Sequence, residues 1–80
     1  MVTVKLYGLL SEYGGQRQFS ADVKTVRQAL KLAADMGADQ NLLHGALLFV
    51  NGRPLTGIRR LSCKLTEGDE LALLSPAGGG

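Results

Sequence analysis

Val2, Val4 and Leu6 alternate with Thr3, Lys5 and Tyr7 at the start of the chain. A period of two makes one face of a strand apolar and leaves the other open to water. A first strand is therefore expected over residues 2–8, with Tyr7 on the face opposite Val4 and Leu6. Gly14-Gly15 has turn chemistry, and Arg17-Gln18-Phe19-Ser20 offers a short returning strand, so the opening segment reads as a β-hairpin with a loose connection. Leu9, Leu10 and Tyr13 lie in that connection and are expected to fold back onto the body.

The period then changes. Thr25 with Gln28 three positions later has the spacing of a capping box, which satisfies orphan N–H groups at a helix start. Val26, Ala29, Leu30, Ala33 and Ala34 follow at helical spacing and lay one apolar stripe, while Arg27, Gln28, Lys31 and Asp35 point to water. Gly37 is placed to end this helix. The pattern weakens from Ala38 to Gly45, where Leu42 and Leu43 are expected to form a helical turn that packs on the core. Leu47-Leu48-Phe49-Val50 is a continuous apolar run before Asn51-Gly52, which reads as a buried central strand followed by a tight turn. A short edge piece is expected from Arg53 to Leu55, because Pro54 cannot donate to a ladder on both sides. Glu67-Gly68-Asp69 makes a further turn, with Asp69 and Glu70 in a turn and strand-start role, before a last strand over residues 70–74. The order predicts an α+β domain with a mixed sheet and one crossing helix, spanning 1–74, followed by a Gly-rich tail over 75–80.

That tail carries the best candidate for chemistry. Pro76 is followed by Ala77 and Gly78-Gly79-Gly80, so the last carboxylate sits on a tip without side chains. Glycine enters narrow channels in conformations that other residues resist. Fully extended, the segment from Ser75 to Gly80 reaches about 20 Å. From the tail alone, a frayed end without function is an equally good reading.

Composition narrows the classes. The chain has 80 residues and a formal charge of +2, with one cysteine, Cys63, and one histidine, His44. One Cys and one His are too few for a protein-only zinc cage, so no metal and no bound cofactor are expected. The densest basic stretch, Arg53, Arg59, Arg60 and Lys64, has no interleaved aromatics and reads as a solvated surface rather than a nucleic-acid site. No apolar run approaches the ~20 residues that cross a bilayer, and with no leader-like start the expectation is no membrane and a cytoplasmic location. Cys63 is expected to be a small packing residue rather than a persulfide carrier, and His44 a surface histidine without a catalytic companion.

Taken together, the β-β-α-β-β order, the Val50-Asn51-Gly52 turn, the Gly68-Asp69-Glu70 turn into an apolar strand and the Pro76 to Gly80 ending resemble the MoaD/ThiS family of ubiquitin-like sulfur carriers. The similarity spans nearly the whole chain and is greatest to the branch that forms the small subunit of molybdopterin synthase. Ser75 stands where that branch often has the first of two prolines, Gly78 where a small or hydroxyl residue is usual, and Leu73 and Leu74 where bulkier aromatics are common.

The resemblance implies a ubiquitin-like β-grasp fold and a chain that is a co-substrate rather than an enzyme on its own. An E1-like adenylating partner would use ATP to activate the Gly80 carboxylate, and a persulfide donor would convert it to a thiocarboxylate. Gly79 would serve threading into the partner's channel. The implied docking residues are Tyr7, Leu74, Pro76 and Gly78, and the implied assembly is a heterotetramer with the large synthase subunit. Three alternatives remain: a thiamine-type carrier, a protein modifier joined to lysines through Gly80, and a non-covalent β-grasp interaction module.

Overall fold

The computed structural model describes residues 1–8, 10 and 18–75. The elements are β1 (Val2–Gly8), β2 (Gln18–Ala21), α1 (Val26–Asp35), α2 (Gln40–His44), β3 (Leu47–Val50), β4 (Arg53–Leu55), a 3₁₀ turn (Arg60–Ser62) and β5 (Glu70–Ser75). The strands form one five-stranded sheet in the order β2-β1-β5-β3-β4. β1 runs antiparallel to β2 and parallel to β5, while β3 is antiparallel to both β5 and β4. The last strand in sequence is therefore the middle strand in space.

Alternation in β1 does what its pattern demands. Val2, Val4 and Leu6 are buried while Thr3 and Lys5 are half-buried and Tyr7 is exposed. Their inward side chains meet Leu71 and Leu73 of β5 and Leu48 of β3, and α1 covers this face with Val26, Ala29 and Ala33. Leu10 is fully buried in the same core, as expected of the fold-back loop; Leu9 and Tyr13 lie outside the described residues.

Thr25 caps α1, its side chain accepting from the Gln28 N–H at 3.2 Å. The reciprocal half of the box is displaced by one residue: Gln28 Oε1 accepts from the Lys24 N–H at 2.7 Å. Either way one more orphan donor near the helix start is satisfied, which is the physical purpose of the motif. Met36 is the C-cap and Gly37 follows it with a φ of 109°. The segment after it forms a true second helix, α2, because Asp39 accepts from the N–H groups of Asn41 and Leu42 and buries Leu43.

Asn51 and Gly52 have φ of 52° and 82° and join β3 to β4. Positive φ at both central residues of a two-residue hairpin matches the right-handed twist of the flanking strands and selects Asn-Gly. Pro54 sits in β4, an outer strand of the sheet, where a missing N–H costs least.

One expectation needs correction. The run Leu47–Val50 does lie between two strands, but it is not buried throughout: Leu47 is 49% exposed and Leu48 only 4%. A continuous apolar run hides the face on which each residue falls, and here the outward face of the strand is apolar as well.

Candidate functional site

The outward face of the sheet is built by register. Tyr7 of β1 pairs with Leu74 of β5, and Leu74 pairs in turn with Leu47 of β3, so three large apolar residues stand in one row across three strands. Tyr7 is 46% exposed and Leu74 is half-buried beneath its two neighbours. The next row holds Lys5, Ala72, Phe49 and Pro54. Lys5 Nζ reaches Glu70 Oε1 at 3.2 Å, placing an ion pair on the β1–β5 seam beside the apolar rows. An apolar surface with a charged margin, left uncovered on a small domain, has the anatomy of a docking face.

This face lies at the root of the C-terminal tail. β5 runs through Ser75, which is buried and pairs with Gly8. Gly8 has a φ of 66°, and a Cβ built on it would sit 2.1 Å from the Ser75 carbonyl oxygen. Both facts require glycine there, because an L side chain would be strained by the backbone angle and would collide with backbone that cannot turn aside. Gly8 thus lets β1 close against Ser75, which the sequence pattern assigns to the tail and which the structure instead makes the last residue of β5. Nothing in the local sequence pattern marked this role; a glycine ending an alternating strand was the only hint.

At the opposite end β5 is clipped to the β3–β4 turn. The Asn51 amide donates to Asp69 Oδ1 at 3.0 Å, and Asn51 Oδ1 accepts from the Glu70 N–H at 2.9 Å. The Asn51 N–H donates to the Glu70 carbonyl at 2.8 Å. Asp69 Oδ2 accepts from the Thr66 N–H at 2.8 Å and from the Thr66 hydroxyl at 3.2 Å. The Thr66 backbone N–H, and after it the Asn51 amide, hold the Asp69 carboxyl below its ordinary value of 3.8.

Of the residues singled out from sequence, Tyr7 and Leu74 are brought into contact range as cross-strand partners. Pro76, Gly78, Gly79 and Gly80 lie outside the described residues. Leu47 and Phe49, read as strand core, join Tyr7 and Leu74 on the outward face. Cys63 is half-buried against the core, with its Sγ 3.7 Å from the Lys64 carbonyl. His44 is exposed at the end of α2. Among the described residues no group of three or more His, Cys, Asp or Glu could hold a metal ion, and no helix is long and apolar enough to cross a membrane.

A mixed five-stranded sheet with its last strand in the middle and a helix across one face is the ubiquitin-like β-grasp fold. Similar solved structures span the whole domain. The crystal structure of SAMP1 from Haloferax volcanii matches with a TM-score of 0.79 at 26% identity, over 99% of this chain and 98% of that one. The complex of subunits 1 and 2 of molybdopterin-converting factor from Helicobacter pylori matches with a TM-score of 0.72 at 19% identity, over 99% and 97% of the two chains. The BexX/CysO complex of Amycolatopsis orientalis matches with a TM-score of 0.72 at 23% identity, over 100% of both. A search of curated protein sequences finds no match. The sequence profile of the ThiS family matches residues 4–80, and the chain belongs to that family of ThiS/MoaD-like, ubiquitin-fold sulfur carriers.

Proposed function

We propose that this chain carries sulfur as a thiocarboxylate on Gly80 and delivers it for molybdopterin synthesis as the small subunit of molybdopterin synthase. The observation that carries the reading is the family match, which runs through the glycine ending to residue 80. The apolar row of Tyr7, Leu74 and Leu47 beside the root of the tail supports it, since a carrier must be gripped close to the group it presents.

The chemistry suits a chain whose tip has no side chains. A carboxylate is a poor electrophile. An E1-like partner transfers the adenylyl group of ATP to the Gly80 carboxylate, with pyrophosphate leaving, so that AMP becomes the next leaving group. A persulfide sulfur then attacks the acyl carbon and expels AMP to give an acyl disulfide with the donor cysteine. A second thiol attacks the donor-cysteine sulfur, forming a new disulfide with it and releasing the thiocarboxylate on Gly80. Dividing one difficult transfer into easier covalent steps is the logic of nucleophilic catalysis, here carried out on a mobile co-substrate. Gly79 and Gly80 provide narrowness and freedom for threading, Pro76 and Gly78 shape the segment, and the large subunit takes up the outward face in a heterotetramer. The chain works in the cytoplasm, binds no cofactor of its own and supplies no general acid or base.

The likeness to SAMP1, a small archaeal modifier protein, favours a second reading in which Gly80 is joined to lysines of other proteins. Mass spectrometry of the protein recovered from cells separates the two. A terminus in which one oxygen is replaced by sulfur supports the carrier, and isopeptide-linked glycine remnants on other proteins support the modifier. Full synthase activity after deletion of Gly80 would refute the carrier.

A further inference from the structure

The helical side of the molecule carries a feature that sulfur delivery does not use. A cleft of about 370 Å³ opens between α1, α2 and the 3₁₀ turn, its accessible apolar lining the half-buried Leu30 and Leu61, with Leu43 and Leu48 buried behind them. That volume falls within the range of ligand-binding clefts, which begin near about 300 Å³. Arg27, Lys31 and Arg60 line it, and Asp35 is the one carboxylate among its described lining residues.

These cations are not committed elsewhere. Arg27 and Lys31 are exposed one helical turn apart on α1 and make no ion pair among the described residues. The Arg60 guanidinium donates to the Gly57 carbonyl at 3.2 Å and has no carboxylate partner among the described residues. The whole chain has nine Lys and Arg against seven Asp and Glu. With the three cations and one acid of the cleft set aside, six of each remain, so the chain's formal excess of +2 is matched by the cleft alone.

An apolar floor under separated, unpaired cations selects a ligand with an apolar group and more than one negative charge. Side chains at the spacing of Arg27 and Lys31 have Cβ atoms roughly 5–6 Å apart, and Arg60 adds a third centre on a separate element. Carboxylates repeated along a peptide meet all three, whereas a fatty acid offers one carboxylate and leaves two cations unanswered. We propose that this cleft docks an acidic peptide segment of a partner protein, seating one large apolar side chain on Leu30 and Leu61 and setting carboxylates against Arg27, Lys31 and Arg60. α1 packs on the inner face of the sheet, so an occupant of the cleft leaves the outward face of Tyr7 and Leu74 free.

The test titrates the full chain with a fluorescein-labelled peptide whose Leu-Phe centre is flanked on both sides by glutamates. Anisotropy gives the affinity and amide chemical shifts map the site. The expected result is saturable binding that weakens as salt is raised, with shifts centred on residues 27–35, 40–44 and 60–62. The R27E/K31E double variant, altered at two exposed positions, should bind roughly tenfold more weakly, the scale on which rim ion pairs turned repulsive act. Should that variant not fold, the wild-type shift map and salt dependence decide alone. Absence of saturable binding, equal binding of the same peptide with lysines for glutamates, shifts centred on Tyr7 and Leu74, or binding of dodecanoate without binding of the peptide would each overturn the proposal.

Discussion

At its start β5 is paired with β1 through Thr3–Glu70 and held by side chains: Asn51 bonds Asp69 and Glu70 directly, and Thr66 ties down the other oxygen of the Asp69 carboxylate. The β1 register covers Glu70–Ser75 and the β3 register Leu71–Leu74, so each end of β5 outruns β3 by one residue, and at the start the backbone and side chain of Asn51 take the place of β3. The clipped end consists of exposed polar groups joined by hydrogen bonds, and the open end is framed by exposed apolar side chains. The difference separates stability from presentation. One end anchors the central strand in the body, and under the proposed function the other presents the chain to its partner.

The largest effect on the body is expected at the exit. Gly8→Val places a side chain into the Ser75 carbonyl at a φ of 66°, and should cost about 1–3 kcal/mol of stability in urea unfolding. Wild-type stability in that variant would mean that the close approach of β1 to the root of the tail is not required.

Next in size is the outward face. Under the proposed function, Leu74→Asp should weaken binding of the proposed large synthase subunit by about tenfold to a hundredfold in calorimetry, and Tyr7→Ala should act in the same direction. Thermal midpoints should stay near the wild-type value in both, which distinguishes docking from packing. Unchanged affinity would remove this face from the account.

At the clipped end the expectation reverses. Asn51→Ala removes the two side-chain bonds, to Asp69 and to the Glu70 N–H, and forces a Cβ residue without polar compensation to a φ of 52°. A loss of about 1–2 kcal/mol follows, with partner affinity unchanged. Should affinity fall as well, the two ends of β5 are not independent.

The smallest effect is in acid. The Asp69 carboxyl is held below 3.8 in the folded chain, chiefly by the Thr66 N–H. A group with a depressed folded value contributes stability that is fully present above the unfolded value, and that is lost as pH falls through the folded one. Asp69→Asn should therefore lower the thermal midpoint slightly at neutral pH and flatten its decline below about pH 4. An identical acid profile in the variant would show that this carboxylate is not part of the clip.

Much of the body was legible because its physics is local. Alternation from Val2 to Tyr7 locates β1, the Thr25 to Gln28 spacing locates the start of α1, and Asn51-Gly52 selects a hairpin turn. What escaped reading depends on contacts between distant segments. The outward position of Leu47 follows from pairing with Leu74, which the apolar run Leu47–Val50 cannot express. The Asn51–Asp69 bond joins residues 18 positions apart, and the need for glycine at position 8 arises only when Ser75 is brought beside it. The basic cleft was hidden for the same reason, since Arg27 and Lys31 read as a solvated helix face until the 3₁₀ turn brings Arg60 to the same opening.

Intact-mass and terminal-peptide mass spectrometry of the chain, recovered from cells with its adenylating partner and persulfide donor present, tests the central claim most directly. The account predicts a terminal glycine peptide heavier by the difference between sulfur and oxygen, and no such species from a chain that lacks Gly80. A terminus that carries only oxygen under those conditions, or undiminished molybdopterin synthesis by the truncated chain, would contradict it.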